Sequence, residues 1–391
     1  FLGVSMVLSK FIIRSGKSKI YFGPESINEL SSWVRAFNRV FIITGKRSAK
    51  VSGALSDVQS ILNNYGIKYE VFDKVFPNPT ASLVDEASEH AWRFSTDAII
   101  AIGGGSVIDT AKLVSIIVKC GGRAKEYIKG VKEAYDSVPL AAINLTHGTG
   151  TEADRYAVIT IEETQEKVGI ASEFIYPSIS IDEPKYLLTL PRTQTIYTAL
   201  DAFYHAVESA TSKASSPYVL TLAEEAVKLI VKWLPIAIRE PSNIEARYWL
   251  LYASMIAGIS IDHGRTHIIH AIEHALSGLN PNLAHGAGLA IIGPQAIKYI
   301  YESLPEVTYR LIKHMDPELE PRPEHSDRAL KAVTRFQQSI GFTERLRDYG
   351  FSEKNVTEIN KLVFTAMRYI LRLTPFNVNE NMVKNIFLKS L

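Results

Sequence analysis

The stretch Asp97–Lys112 reads DAIIAIGGGSVIDTAK. An unbroken apolar run from Ala98 to Ile102 ends in three glycines, and a helical pattern begins at Ser106. A short apolar run bounded by turn residues is the pattern of a strand buried on both faces, as in a parallel sheet. The glycines let the backbone approach a phosphate, and the helix start behind them offers free N–H donors and a partial positive charge. A plain tight turn needs the same residues, and the run is not G-x-G-x-x-G. Alone, it leaves both readings open.

Working outward, the neighbouring segments repeat the alternation. Phe11–Gly23 (FIIRSG, then KIYFG) reads as a hairpin and Pro24–Phe37 as a helix. VFIITG (Val40–Gly45) reads as a strand, Ala54–Tyr65 as a helix, KYEVFD (Lys68–Asp73) as a strand and Ala81–Phe94 as a helix. After the glycine loop, PLAAINL, YAVITIE and PSISIDE add strands up to about Asp182. Strands separated by helices of this length predict βαβ units and a parallel, Rossmann-like sheet. From Pro191 onward the period-two pattern disappears and long helical segments dominate, NKLVFTAMRYILRL among them. The expected organisation is an α/β domain over residues 1–185 and an all-α domain over 186–391.

A second small-residue loop, Asn144–Ile159 (NLTHGTGTEADRYAVI), also follows an apolar strand. Two such loops at the carboxyl ends of parallel strands mark where an open α/β sheet binds a nucleotide. Thr146 and Thr149 are suited to bonding a ribose, phosphate or carboxamide.

The helical half carries the second feature. His263–Gly286 (HGRTHIIHAIEHALSGLNPNLAHG) holds five of the ten histidines, and Asp201 and His205 lie four apart in TALDAFYHAVES. Residues four apart share a helix face. Asp and His are costly to bury unpaired in such apolar helices. One carboxylate with several imidazoles suits Fe(II), Zn(II) or a neighbouring first-row ion, and not Mg or Ca. Such a cation acts as a Lewis acid on an alcohol or carbonyl oxygen. Spacing does not decide which of His263, His267, His270, His274 and His285 are ligands.

Composition bounds the rest. A chain of 391 residues with 46% hydrophobic and 21% charged residues reads as an ordinary globular protein of two domains. The net charge of +2 carries no nucleic-acid signal, and the apolar runs are far short of a membrane span. Residues 1–10 lack the order of a signal peptide, Met6 reads as the natural start, and the single cysteine, Cys120, suits a reducing cytoplasm. A homodimer or higher homo-oligomer is expected.

Together GGGSVIDTAK, THGTGTEADRYAVI, ALDAFYHAVES and HAIEHALSG…AHG resemble the iron-containing alcohol dehydrogenase family, within the dehydroquinate-synthase-like fold, over nearly the whole chain. The resemblance implies a dinucleotide-binding α/β domain, a helical metal-binding domain, and an active site between them. It implies hydride transfer between a metal-held alcohol and nicotinamide. It assigns the metal, Fe(II) or alternatively Zn(II), to Asp201, His205, His270 and His285, and makes His274 an active-site neighbour. His263 and His267 match no ligand. Cofactor contacts fall on Gly104, Gly105, Ser106, Asp109, Thr146, Thr149, Asn78 and Lys167. NAD-preferring members often carry an Asp after the second sheet strand. This chain has Gly45, Lys46 and Arg47 there, which makes room for and attracts a 2′-phosphate, so NADP is expected over NAD. His147 and Asp154 depart from the family pattern, and His147 is expected to alter the nicotinamide or substrate environment. Rival readings are a polyol or glycerol-1-phosphate dehydrogenase, a dehydroquinate-synthase-like lyase, which needs a Lys/Arg cluster that is not evident, and a purely structural metal clamp.

Overall fold

In the computed structural model, which describes residues 10–391, the Asp97–Lys112 stretch is a central strand, a turn and a helix. The expectations for residues 1–9, Met6 included, lie outside the described residues. The strands are β1 (Phe11–Ser15), β2 (Ser18–Phe22), β3 (Arg39–Gly45), β4 (Lys68–Val75), β5 (Ala98–Gly103), β6 (Leu140–Asn144), β7 (Tyr156–Ile161), β8 (Glu166–Ala171) and β9 (Ile179–Asp182). Seven of them form one sheet in the order β1-β2-β9-β6-β5-β3-β4, parallel except for the β1–β2 hairpin.

The period of two explains how this sheet is covered. Phe41 and Ile43 of β3, Ile99 and Ala101 of β5, and Leu140 and Ala142 of β6 pack on one face with helices Ala81–Arg93 and Gly105–Cys120. Their neighbours Val40, Ile42, Ile100, Ile102, Ala141 and Ile143 pack on the other face with helix Ala54–Asn64. Chain order turns outward in opposite directions from the β3–β5 pair, so the crevice of the sheet opens beyond Gly45 and Gly103.

Three expectations need correction. Pro24–Phe37 is not one helix: Glu25 has φ 62°, and only a 3-10 turn (Ser26–Glu29) and a short helix (Leu30–Val34) follow. YAVITIE does not join the main sheet. β7 pairs antiparallel with β8, a strand absent from the sequence reading. NKLVFTAMRYILRL is broken after Phe364, because Thr365 leaves helical geometry (ψ −80°), and a short helix resumes at Arg368.

The helical half packs around helix Arg192–Thr211, whose residues from Ala199 to Thr211 are all buried. Helix Pro217–Arg239 starts on Ser216, whose side chain accepts from Val219 N, and helix Ile244–Gly264 starts on Asn243 in the same way through Ala246 N. Helices Ile268–Leu279 and His285–Ser303 pack against each other, and the first also packs against β8. No helix among the described residues is long and apolar enough to cross a membrane.

Candidate active site

The glycine loop and the threonine loop meet. A Cβ on Gly104 would come within 2.7 Å of Thr146 Cγ2, and one on Gly105 within 2.5 Å of Thr149 Cγ2. Only glycine allows that approach, and it leaves the first N–H groups of helix Gly105–Cys120 open. A cleft of about 1070 Å³ lies over this junction, lined by Gly45, Arg47, Gly104, Ser106, Thr146 and Thr149 among others. Lys46 is exposed and does not line it, whereas Arg47 and Ser48 do. Asn78, held at φ 55°, lines the cleft and donates from Nδ2 to the Pro281 carbonyl at 2.9 Å, joining the two halves at its lip.

Asp201 and His205 stand one turn apart on helix Arg192–Thr211, with His270 and His285 on the two facing helices. His205 Nε2, His270 Nε2 and His285 Nε2 lie 3.4, 3.9 and 3.7 Å from Asp201 Oδ1. One ligand atom from each of the four residues falls within 4.8 Å of every other. Asp201 Oδ1 and His270 Nε2 are buried with no hydrogen-bond partner. Burial pushes Asp201 up to about 7, against the pull of His270, and pushes His205 and His270 down to about 3 and about 4. It also drives His285 well below its ordinary value. The imidazoles are therefore neutral lone-pair donors at neutral pH, around a carboxylate that lacks a counter-ion. This donor set fits a first-row divalent cation.

Two carboxylates absent from the sequence reading fix the ring orientations. Glu208 accepts from His270 Nδ1, and Glu273 accepts from His285 Nδ1. A carboxylate only accepts, so each Nδ1 carries the proton and each Nε2 keeps its lone pair free. Glu208 lies on the same helix face as Asp201, two turns on, a spacing that was available to find it. Glu273 is hidden in sequence by its neighbour His274.

Lys167, one of the expected cofactor contacts, stands beside His285 and not in the larger cleft. Its buried Nζ lies 3.7 Å from Glu273 Oε2, 3.4 Å from Ser277 Oγ and 3.3 Å from His285 Nδ1. It lines a second cavity, of about 320 Å³, together with Asp109, His205, His270 and His274. The two cavities share Asn78, Gly105, Ser106, Thr149 and His285. The four-residue group thus sits where a nucleotide-sized cleft meets a smaller chamber. His274 has its ring 5.5 Å from that of His285, a buried Nδ1 with no partner, and a pKa well below the ordinary value through burial.

The chamber floor is braced by an ionic knot. Lys112, fully buried, donates to Asp154 Oδ1 (2.9 Å), Thr151 Oγ1 (2.7 Å) and the Tyr156 carbonyl (2.7 Å). Asp109 accepts from Thr151 Oγ1 at 2.7 Å and from Val158 N at 2.9 Å. Asp154, unusual in the sequence, is the partner of Lys112. His267 stands with Nε2 3.0 Å from Thr211 Oγ1 and Nδ1 3.3 Å from Glu208 Oε1, and His263 packs edge-on to Tyr218. Neither joins the four-residue group. His147, expected to act on the nicotinamide or substrate, lines neither cavity.

A donor set that fits a first-row cation beside a nucleotide-sized cleft is what a metal-dependent oxidoreductase needs. Comparison with known proteins agrees. Residues 17–184 match the family model for iron-containing alcohol dehydrogenase, and 195–391 match its C-terminal domain. The chain is 39% identical to the long-chain primary alcohol dehydrogenase AdhA of Thermoanaerobacter ethanolicus, covering 96% of each. It is 30% identical to the NADH-dependent butanol dehydrogenase A of Clostridium acetobutylicum, covering 95% of this chain and 97% of that one. Among solved structures, an archaeal halo-thermophilic Red Sea brine pool alcohol dehydrogenase superposes with a TM-score of 0.90 at 27% identity over the whole of both chains. A 1,3-propanediol oxidoreductase superposes with a TM-score of 0.88, also at 27% identity, over 98% of this chain and 100% of that one. The chain belongs to the iron-containing alcohol dehydrogenase family and is an NAD(P)-linked alcohol dehydrogenase.

Proposed function

We propose that Asp201, His205, His270 and His285 hold a catalytic Fe(II), with Zn(II) the alternative, and that the enzyme interconverts primary alcohols and aldehydes with NADP. The convergence of three Nε2 atoms on the orphaned Asp201 Oδ1 carries this reading. When bound, the cation supplies Lewis acidity to the substrate oxygen. The chain's own groups do the rest. Glu208 and Glu273 keep the imidazoles aimed. The glycine loop with Thr146 and Thr149 would orient a bound nucleotide, whose nicotinamide would supply the hydride acceptor. His274, in the same chamber with a buried Nδ1 that has no partner, is the group placed to accept the hydroxyl proton.

The chamber walls include Val158, Ile170, Ile261, Ile370 and Leu373, which suits an alcohol with an apolar chain. Its lysines and arginines are Lys167, engaged by Glu273, and Arg265, too few for a phosphorylated, carboxylated substrate of a lyase. Gly45 and Arg47, which line the cleft at the end of β3 and leave room and positive charge for a 2′-phosphate, support NADP. The domain division near residue 185, a cytoplasmic setting and a homo-oligomer of two or more chains complete the proposal. Steady-state oxidation of a series of linear alcohols with NADP and with NAD tests it. Turnover restricted to polyols or phosphorylated substrates would count against it.

A further inference from the structure

His147 is a side chain of the Thr146–Thr151 loop that neither the reaction nor the Lys112 knot uses. It is fully buried and turned away from both cavities. Its Nδ1 lies 3.2 Å from Thr198 Oγ1, and Thr198 donates its hydroxyl proton to the Gln194 carbonyl at 2.8 Å. Thr198 therefore accepts from Nδ1–H. That leaves the lone pair on Nε2 to accept from Arg247 Nη1 at 3.3 Å. Arg247 is itself fully buried, and no carboxylate meets it among the described residues. Its other donors reach Thr195 Oγ1 (2.8 Å) and the carbonyls of Pro241 (3.2 Å) and Leu190 (3.4 Å). A buried guanidinium without an acid tolerates few lost acceptors.

This chain of contacts joins three elements. Arg247 belongs to helix Ile244–Gly264, and Thr198 to helix Arg192–Thr211, one turn before Asp201. The next loop residue, Gly148, presses on Thr198 so closely that a Cβ would lie 2.7 Å from Thr198 Cβ. On either side, Thr146 and Thr149 close over Gly104 and Gly105.

We propose that His147 is a positioning residue: by bridging Arg247 to Thr198 it clamps the nucleotide loop onto the helix that carries Asp201 and His205. The clamp fixes where Thr146 and Thr149 stand relative to the catalytic group. Its effect on nucleotide binding rests on the cofactor reading above; the clamp itself does not.

The test compares His147→Leu with His147→Gln, whose amide can both donate to Thr198 and accept from Arg247. Direct titration with NADP and NAD, the split between KM and kcat, and amide exchange across 146–151 are the readouts. The Leu variant removes two buried hydrogen bonds and is expected to weaken nucleotide binding about tenfold, within the range such losses span, to raise KM for nucleotide more than it lowers kcat, and to speed exchange in the loop. The Gln variant is expected to recover most of both. A lowered Tm with nucleotide affinity and loop exchange unmoved overturns the proposal. Should His147→Leu fail to fold, Thr198→Val removes the His147–Thr198 bond; because Thr198 itself lines the cleft, loop exchange alone then decides, and unmoved exchange overturns the proposal. If the wild-type protein binds neither nucleotide, the cofactor reading fails, while loop exchange still decides the clamp.

Discussion

One carboxylate, Glu208, accepts a hydrogen bond from His270 Nδ1–H and at the same time caps the helix that carries it. It accepts from the backbone N–H groups of His267, Ile269 and His270 at 3.2, 2.7 and 3.2 Å. Helix Ile268–Leu279 has no side-chain cap of its own, so the end of one helix and the aim of one imidazole depend on a residue of another. Glu208→Gln should weaken divalent-cation binding by about 10- to 100-fold, the usual effect of losing such a partner, and should lower Tm in the metal-free protein. Chelator competition with Fe(II) or Zn(II) measures the first effect. Unaltered cation affinity would show that the pairing does not orient His270.

Cation binding should depend on pH in a defined direction. Burial raises Asp201 to about 7, so the metal-free site holds a proton below that value and must release it to take up a cation. Affinity is expected to rise with pH through about 7 and then level off. His205 and His270, at about 3 and about 4, add no proton cost there. Isothermal titration in buffers of different ionisation enthalpy would detect the proton released at pH 6 and its disappearance above pH 8. A pH-independent affinity contradicts the assignment.

The metal-free protein should be acid-sensitive for a separate reason. Burial depresses His147 to about 3 and His267 to about 4, so their neutral forms contribute stability that is complete above about 6.5, the unfolded value. That contribution is lost as pH falls from about 6.5 towards 3 to 4, because the unfolded chain takes up protons that the folded chain refuses. Urea unfolding at pH 7.5 and pH 5 measures this, and equal midpoints would argue against it.

Asp154 and Lys112 form a pair with 2% and 0% of their side chains exposed. Asp154→Ala leaves the ammonium buried beside Thr151 and the Tyr156 carbonyl. The expected loss is about 3–5 kcal/mol of folding stability, as for a broken buried pair. Chemical denaturation checks it. A loss below about 1 kcal/mol, the scale of an exposed pair, would mean that water reaches Lys112.

Much of this was legible in the residues. The Ala98–Ile102 run with its glycines announced the sheet and the loop, because a strand buried on both faces has nowhere to place polar side chains. The i,i+4 spacing of Asp201 and His205 showed a shared face. What the sequence hid depends on partners distant in the chain. β7 is as apolar as the sheet strands, and only its pairing with β8 takes it out of the sheet. Lys167 stands out only through the family resemblance, and its neighbour Glu273, 3.7 Å away, lies 106 positions on in the chain. Arg247 sits in a helix whose burial on nearly every side has no amphipathic stripe to reveal it.

Gly45→Asp should move cofactor preference from NADP towards NAD, since a carboxylate at the end of β3 repels a 2′-phosphate and can bond a ribose 2′-hydroxyl. Removal of Arg47, which lines the cleft, should weaken NADP more than NAD. The ratio of kcat/KM for the two nucleotides decides, and wild-type preference for NAD would contradict the account of this corner.

The central claim is that Asp201, His205, His270 and His285 together hold one catalytic cation. Its most direct test is metal content by mass spectrometry, read beside alcohol oxidation, on protein purified without added metal and again after chelation and re-addition of Fe(II) or Zn(II). The account predicts one first-row metal per chain, activity that leaves and returns with it, and loss of both in Asp201→Ala. Full activity without bound metal, or one tightly held metal per chain in Asp201→Ala, would contradict it.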